Sequence, residues 1–348
     1  MPRFTDELGR VDIRSLSLAE IRELVQGLGK EKFRALQVYK WIWQRLIPSF
    51  QDMTNISKAF RSEMEDRAFL RQLELHRMER SSDGTRKLAW RLHDGLLIES
   101  VLIPDDERLT LCISSQVGCA MGCAFCLTGD LGLIRNLTPA EIALQVAQAE
   151  RLIDPGERIS NIVFMGMGEP LANLDHVLVA LDFLLDENAL NYSHRKITVS
   201  TAGLVKGLRR LADASPVNLA VSLNATTDVQ RAAIMPVNKA HDLRELLETC
   251  RTLPLPAGKR ITFEYVMIGG FNDSLDDARR VLKLLRPIKA KVNLIPYNEN
   301  PDRDLRRPAE DVVQAFQNFV VQGGIQCSIR SSRGTDISAA CGQLGKKG

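Results

Sequence analysis

Cys119-Ala-Met-Gly-Cys-Ala-Phe-Cys126 places thiols at positions 119, 123 and 126, directly after the apolar run Leu111-Cys112-Ile113-Ser114. Thiolates ligate iron-sulfur clusters and zinc alike, and a structural zinc takes four protein ligands. Three thiols are one short of a closed site. A four-iron cluster on three cysteines leaves one iron open to a small molecule, whereas a zinc loop needs a distant fourth ligand. The cysteines alone leave both readings open.

Outward from this stretch the chain alternates strand and helix. Apolar, β-rich runs lie at 110–115, 161–165, 196–200, 217–223, 260–267, 291–295 and 325–330, with helical patterns between them. Thr138-Pro-Ala-Glu141 combines a cap, a proline at the first helical position and the capping-box acid. Ser274-Leu-Asp-Asp277 opens another helix, with Ala278, Val281, Leu282 and Leu285 on its inner face. Strands separated by helices pair in parallel, because parallel neighbours need a crossover of that length. The expected architecture is α/β, a partial (β/α) barrel with its chemistry at the C-terminal ends of the strands.

The candidates fall at those ends. After the second of these strands comes Met165-Gly-Met-Gly-Glu-Pro170, where glycines allow a ligand to approach the backbone and Glu169 accepts from an ammonium group. Ser200-Thr-Ala-Gly203, Ser222-Leu-Asn-Ala225 and Pro296-Tyr-Asn298 follow at later strands. Each alone is an ordinary turn; their joint placement around one rim is the argument. Cys250 and Cys327 sit in apolar patterns as small buried hydrophobes. Cys112 and Cys341, by contrast, form an unassigned pair that invites thiol chemistry. Cys341 lies in a polar, glycine-containing tail placed to fold over the barrel mouth.

Before the barrel, Ser17-Leu-Ala-Glu20 reads as a capping box for a helix that Gly29 closes. A second helix begins near Lys32 and a third near Ser57. Their aromatic stripe reads as core, and Lys30, Lys32, Lys40, Lys58 and Arg61 are the candidates for nucleic-acid contact. Residues 87–93 and 96–103 then read as two strands joined by Asp94-Gly95, a hairpin turn. Glu99 lies in the second strand, either facing solvent or serving as a base. The expected division is an N-terminal helical domain at 1–84, with those cations on its nucleic-acid face, a β-hairpin connector at 85–104 and the barrel with its tail at 105–348; the family resemblance given below makes the first an RNA-binding domain.

Hydrophobic content of 45% with 26% charged residues is that of a soluble globular chain, and no apolar run approaches the ~20 residues of a membrane span. Met1 to Glu7 carries no signal-peptide apolar core, and the seven cysteines form no disulfide framework, so a reducing cytoplasm is expected. Residues 1–90 hold 17 Lys and Arg against 13 Asp and Glu, a mild basic bias compatible with phosphate contacts.

The cysteine spacing resembles the signature of the radical S-adenosylmethionine (SAM) enzymes, in which the open iron chelates the amino and carboxylate groups of SAM. The chain further resembles, almost end to end, the RlmN family of adenine-carbon-2 methyltransferases of 23S ribosomal RNA and transfer RNA. Arg34-Ala-Leu-Gln37, Met53-Thr-Asn-Ile-Ser57, Ser114-Ser-Gln-Val-Gly-Cys119, Arg135-Asn-Leu137, Gly166-Met-Gly-Glu-Pro170, Val199-Ser-Thr-Ala-Gly203, Met235-Pro-Val-Asn238 and Ala340-Cys-Gly-Gln-Leu344 carry the likeness. It implies a partial (β/α) barrel of the radical SAM type, a 4Fe-4S cluster on Cys119, Cys123 and Cys126, and SAM on Gly168, Glu169, Ser200, Ser222, Leu223, Asn224 and Asn298. Asn224 stands where histidine is usual in the family, and Gly269 where an acid is frequent.

In the mechanism this resemblance implies, Cys341 takes a methyl group from one SAM. A second SAM yields a 5′-deoxyadenosyl radical that removes hydrogen from that methyl, and the resulting methylene radical adds to the base. Glu99 accepts the ring proton, and Cys112 resolves the adduct through a Cys112–Cys341 disulfide. Two SAM per turnover and a flavodoxin-type electron donor follow, acting on 23S rRNA and tRNA as a monomer. The rival within the class is the Cfr-type carbon-8 enzyme; outside it, a zinc-stabilised RNA-binding protein.

Overall fold

In the computed structural model, which describes residues 4–256 and 258–345, one open ten-stranded sheet runs through the molecule. Its strands follow chain order: β1 (Glu74–Arg80), β2 (Arg86–Arg91), β3 (Leu97–Asp105), β4 (Arg108–Cys112), β5 (Ile159–Phe164), β6 (Ile197–Thr201), β7 (Asn218–Ser222), β8 (Ile261–Met267), β9 (Ala290–Pro296) and β10 (Cys327–Ile329). The β1–β4 pairings are antiparallel and every pairing from β4 to β10 is parallel. Strand β4 is therefore the seam between hairpins and barrel. No bond joins β10 back to β1 among the described residues, so the barrel is partial, as the alternation predicts.

Alternation within a strand separates two environments. In β8, Phe263 and Tyr265 point outward, where Tyr265 meets Phe316 with ring centroids 5.4 Å apart, while Thr262 and Glu264 line the lumen. The outer layer is built from amphipathic helices such as Leu275–Leu285, which buries Ala278, Val281, Leu282 and Leu285. Pro139–Ala149 starts with the expected capping box of Thr138 and Glu141.

The N-terminal helices Leu18–Gly27, Phe33–Trp43 and Lys58–Arg67 form where expected, the first with its capping box at Ser17 and the third with Ser57 as its N-cap. Their aromatics are core. Trp43 packs on Phe183 of the barrel helix Leu174–Leu185 with centroids 4.7 Å apart, and Tyr39 adds a second contact at 6.4 Å. Arg14 is fully buried and donates to the carbonyls of Ile42, Ile47 and Arg71, with Arg71 bonded in turn to Asp12 at 3.0 Å. The candidate cations divide. Lys32, Lys40 and Lys58 are exposed, Lys30 pairs with Glu63 at 2.9 Å, and Arg61 is engaged by the carbonyls of Ile56 and Gln51.

The Asp94-Gly95 turn closes as expected, with Gly95 at φ 81° and its N–H donating to Leu92 O at 3.0 Å. Strand β1, which extends the hairpin on its outer edge, is absent from the sequence reading. Truncating Phe183 to Ala removes the ring that seats Trp43 and Tyr39 and is expected to lower stability by about 4 kcal/mol, measured as the shift of the urea unfolding midpoint.

Candidate active site

Ser114, two residues past β4, is fully buried and fixes three segments at once. Its hydroxyl donates to the carbonyl of Glu99 on β3 at 2.6 Å and accepts from Met167 N–H at 2.9 Å. Its backbone exchanges two bonds with the Gln145 side chain, at 2.8 and 2.9 Å. The Gly166–Glu169 segment is pressed against this node. A Cβ on Gly166 would stand 2.7 Å from Ile113 O, and one on Gly168, at φ 101°, 2.5 Å from Gln116 Cβ. The absence of a side chain at these glycines lets the neighbouring chain approach this closely.

The three-thiol loop continues from Gln116–Gly118, which pairs with Leu133–Asn136 in a short ribbon. The loop rests on a separate apolar patch that includes Ala202, Ile234, Met235, Ile268 and Tyr297. Arg303 clamps it from outside, donating to the carbonyls of Ala124 and Cys126 and pairing with Asp130 at 2.6 Å. Burial pushes the Cys119 thiol up to about 12, and burial together with the neighbouring thiols raises Cys123. Cys126, raised by burial, accepts bonds from the backbone of Thr128 and Gly129 at the start of the one-turn helix Leu127–Asp130.

Three soft, mutually interacting thiols with N–H groups aimed at sulfur fit a cluster, because donors to sulfur favour thiolate ligands. Cys119, Cys123 and Cys126 would hold the cluster.

The tail folds back over the barrel. Leu127 N–H donates to Gly342 O at 2.8 Å, Thr128 Oγ1 to Leu344 O at 2.9 Å, and Asn298 Nδ2 to Cys341 O at 3.0 Å. Cys341 and Cys112 thereby line one cavity of about 590 Å³, together with Asn298, Glu264 and Arg330. Burial, then the charge of Cys341, pushes Cys112 up to about 12, against the pull of Arg330. Arg330 is held above its ordinary value by Cys341 first, opposed by burial and assisted by Glu264 and Cys112. Neither Glu264 nor Arg330 was a candidate from sequence. Glu264 has an inward position in an alternating strand as its one signal, and Arg330 is simply the residue after β10.

Glu99 accepts from Gly345 N–H at 2.7 Å and faces Lys87 Nζ at 3.5 Å. Glu169 is buried and receives Thr201 Oγ1 and Ala202 N–H at 2.7 Å each, and Leu171 N–H at 3.0 Å; burial raises its pKa despite these bonds. Ser200 stands on β6 in register with Ala220, and Ser222 ends β7 in register with Glu264. The buried Arg231 ties the carbonyls of Ala202, Ser222 and Leu223 together. Asn224 adopts φ 56°, and its amide is turned to the protein, accepting from Val266 N–H at 2.8 Å and donating to Met235 Sδ at 3.2 Å.

A partial barrel with a three-thiol loop after its first parallel strand defines a radical SAM enzyme. In agreement, the profile of the Radical SAM superfamily matches residues 113–285, and that of the Ribosomal RNA large subunit methyltransferase N-terminal domain matches residues 11–70. "Dual-specificity RNA methyltransferase RlmN" from Anaeromyxobacter dehalogenans is 52% identical over 97% of this chain and 92% of its own length. The protein of the same description from Geotalea uraniireducens is 53% identical over 96% of each. The crystal structure of a radical SAM methyltransferase from Sphaerobacter thermophilus superposes with a TM-score of 0.90 at 41% identity, over 96% of this chain and 99% of that one. The chain belongs to the RlmN family.

Replacing Arg303 with Ala frees the carbonyls at Ala124 and Cys126 and is expected to weaken cluster retention about tenfold, read as iron per chain after gel filtration of anaerobically reconstituted protein.

Proposed function

We propose that this chain methylates carbon 2 of adenosine in 23S rRNA and tRNA, using Cys341 as methyl carrier and Cys112 as its resolving partner. It is a radical SAM RNA methyltransferase by family and fold. The observation that carries the finer reading is that Cys341 and Cys112 line one cavity, Cys341 on a tail whose Gly342 carbonyl accepts from Leu127 N–H directly after the thiol loop. Adenine carbon 2 is electron-poor and does not attack a sulfonium methyl. When bound, the cluster and SAM supply a carbon radical able to activate a methyl group held on sulfur.

The residues then divide the work. Cys341 takes a methyl group from one SAM by displacement, and a second SAM is consumed in activating it, giving two per turnover. Gly168, Glu169, Ser200, Ser222, Leu223, Asn224 and Asn298 form the SAM rim; Asn224, with its side-chain atoms engaged, contributes backbone. Glu99 takes the ring proton. The Cys112 thiolate attacks Cys341 sulfur and breaks its bond to the one-carbon unit, which takes up a proton as the methylated base leaves; the unpaired electron would return to the cluster, and a disulfide remains. Two electrons from a flavodoxin-type donor reopen that disulfide. Residues 1–84 present folded RNA to the mouth, with exposed Lys32, Lys40 and Lys58 on phosphate, 85–104 connect, and 105–348 form the barrel and tail. No helix among the described residues is long and apolar enough to cross a membrane. The setting is the cytoplasm and the working form a monomer.

Anaerobic reconstitution is expected to give brown protein that converts adenosine to 2-methyladenosine in both RNAs, identified by nucleoside mass spectrometry. Cys341→Ala is expected to keep the colour and lose the transfer. Methylation by that variant, or 8-methyladenosine as product, overturns the reading.

A further inference from the structure

The turn between β1 and β2, Ser81-Ser82-Asp83-Gly84-Thr85, is bonded to the tail by two carboxylates running in opposite directions. Asp336 of the tail accepts from Ser81 Oγ at 2.6 Å, from Ser82 N–H at 3.1 Å and from Ser82 Oγ at 3.4 Å. Asp83 of the turn accepts from its own Thr85 N–H and from Gly334 N–H of the tail, both at 2.9 Å. The approach leaves no room for side chains. A Cβ on Gly334, which is at φ 64°, would stand 2.8 Å from Thr85 Cγ2 and 2.9 Å from Ala339 Cβ. One residue beyond Asp336, Lys87 of β2 donates to Ile337 O at 2.7 Å.

We propose that this turn is the anchor of the catalytic tail, and that Asp83 and Asp336 are positioning residues that set where Cys341 stands in the cavity. Asp336 lies five residues before Cys341 and the Glu99-bound amide of Gly345 four residues after it. The cysteine is thus carried on a short span pinned at both ends to the β1–β3 hairpins. Charged acceptors make the stronger class of hydrogen bond, and a short tether limits the volume its centre explores. Burial raises Asp83, but the bonds from Gly334 and Thr85 outweigh it and hold the group at about 2. The bonds from Ser81 and Ser82 likewise lower Asp336, so Asp83 and Asp336 are both ionised at neutral pH. That Cys341 is the methyl carrier belongs to the reading above; the anchoring itself is independent of it.

The test uses full-length, cluster-loaded protein. Asp336→Ala is expected to raise the rate of Cys341 alkylation by iodoacetamide, and amide exchange at residues 334–345, about tenfold. The same variant is expected to lower kcat for RNA methylation about tenfold while KM for RNA and the cluster absorbance stay unchanged. Asp336→Asn, which retains an acceptor for Ser82 N–H, is expected to recover most of both. Gly334→Ala, which pushes the tail off the turn without touching a carboxylate, is expected to reproduce Asp336→Ala. Wild-type alkylation and exchange in both Asp336→Ala and Gly334→Ala overturn the proposal, as does a lost kcat with unchanged alkylation. An active Cys341→Ala enzyme removes the carrier role alone, because the alkylation and exchange readouts still report on the anchor.

Discussion

The buried hydroxyl of Ser114 is the point on which the site depends. It has one donor and engages the Glu99 carbonyl with it; its oxygen receives the Met167 amide, and Gln145 closes around its backbone. Three pieces of chain far apart in sequence are thereby locked together: the strand with the proposed base, the glycine-rich segment, and the start of the thiol loop. A fully satisfied polar node in a dry interior is rigid because any displacement leaves several groups unpaired together. Its neighbours Gly166 and Gly168 show how tightly the lock is closed.

Much of the barrel was legible because its strands carry the strongest local signals available. β-branched runs alternate with amphipathic helices, and caps such as Thr138-Pro139-Ala140-Glu141 mark where helices begin. Strand β1 was not, and the reason is physical. Glu74-Leu-His-Arg-Met-Glu-Arg80 is almost wholly exposed at a sheet edge, where charge protects the unpaired flank. Such a strand is defined by its partner and has no apolar periodicity of its own.

The site divides in the same way. Residue types that carry chemistry on their face, the cysteines above all, were readable one by one. Direction was not. Asn224 turns its amide to Val266 and Met235, Glu169 gives its oxygens to Thr201, Ala202 and Leu171, and Arg61 serves its own fold. Hydrogen-bond partners of this kind arrive from distant strands, so spacing along the chain says nothing of them. Arg330 and Glu264 escaped notice for the same reason: their meaning lies in facing Cys112 and Cys341 across the lumen.

The lumen is lined by Thr110, Asn161, Thr198, Thr262, Glu264 and Asn293 together with Val101, Ile103, Val163, Ile295 and Ile329, a mixed open cavity and not the packed aliphatic layers of a closed barrel. Most of the cohesion comes from the apolar layer between the sheet and its helical jacket, and the polar inner positions add little to it. A lineage can rewrite those inner positions to suit a new guest molecule while the jacket keeps the scaffold folded, which gives this architecture an unusual freedom to diversify.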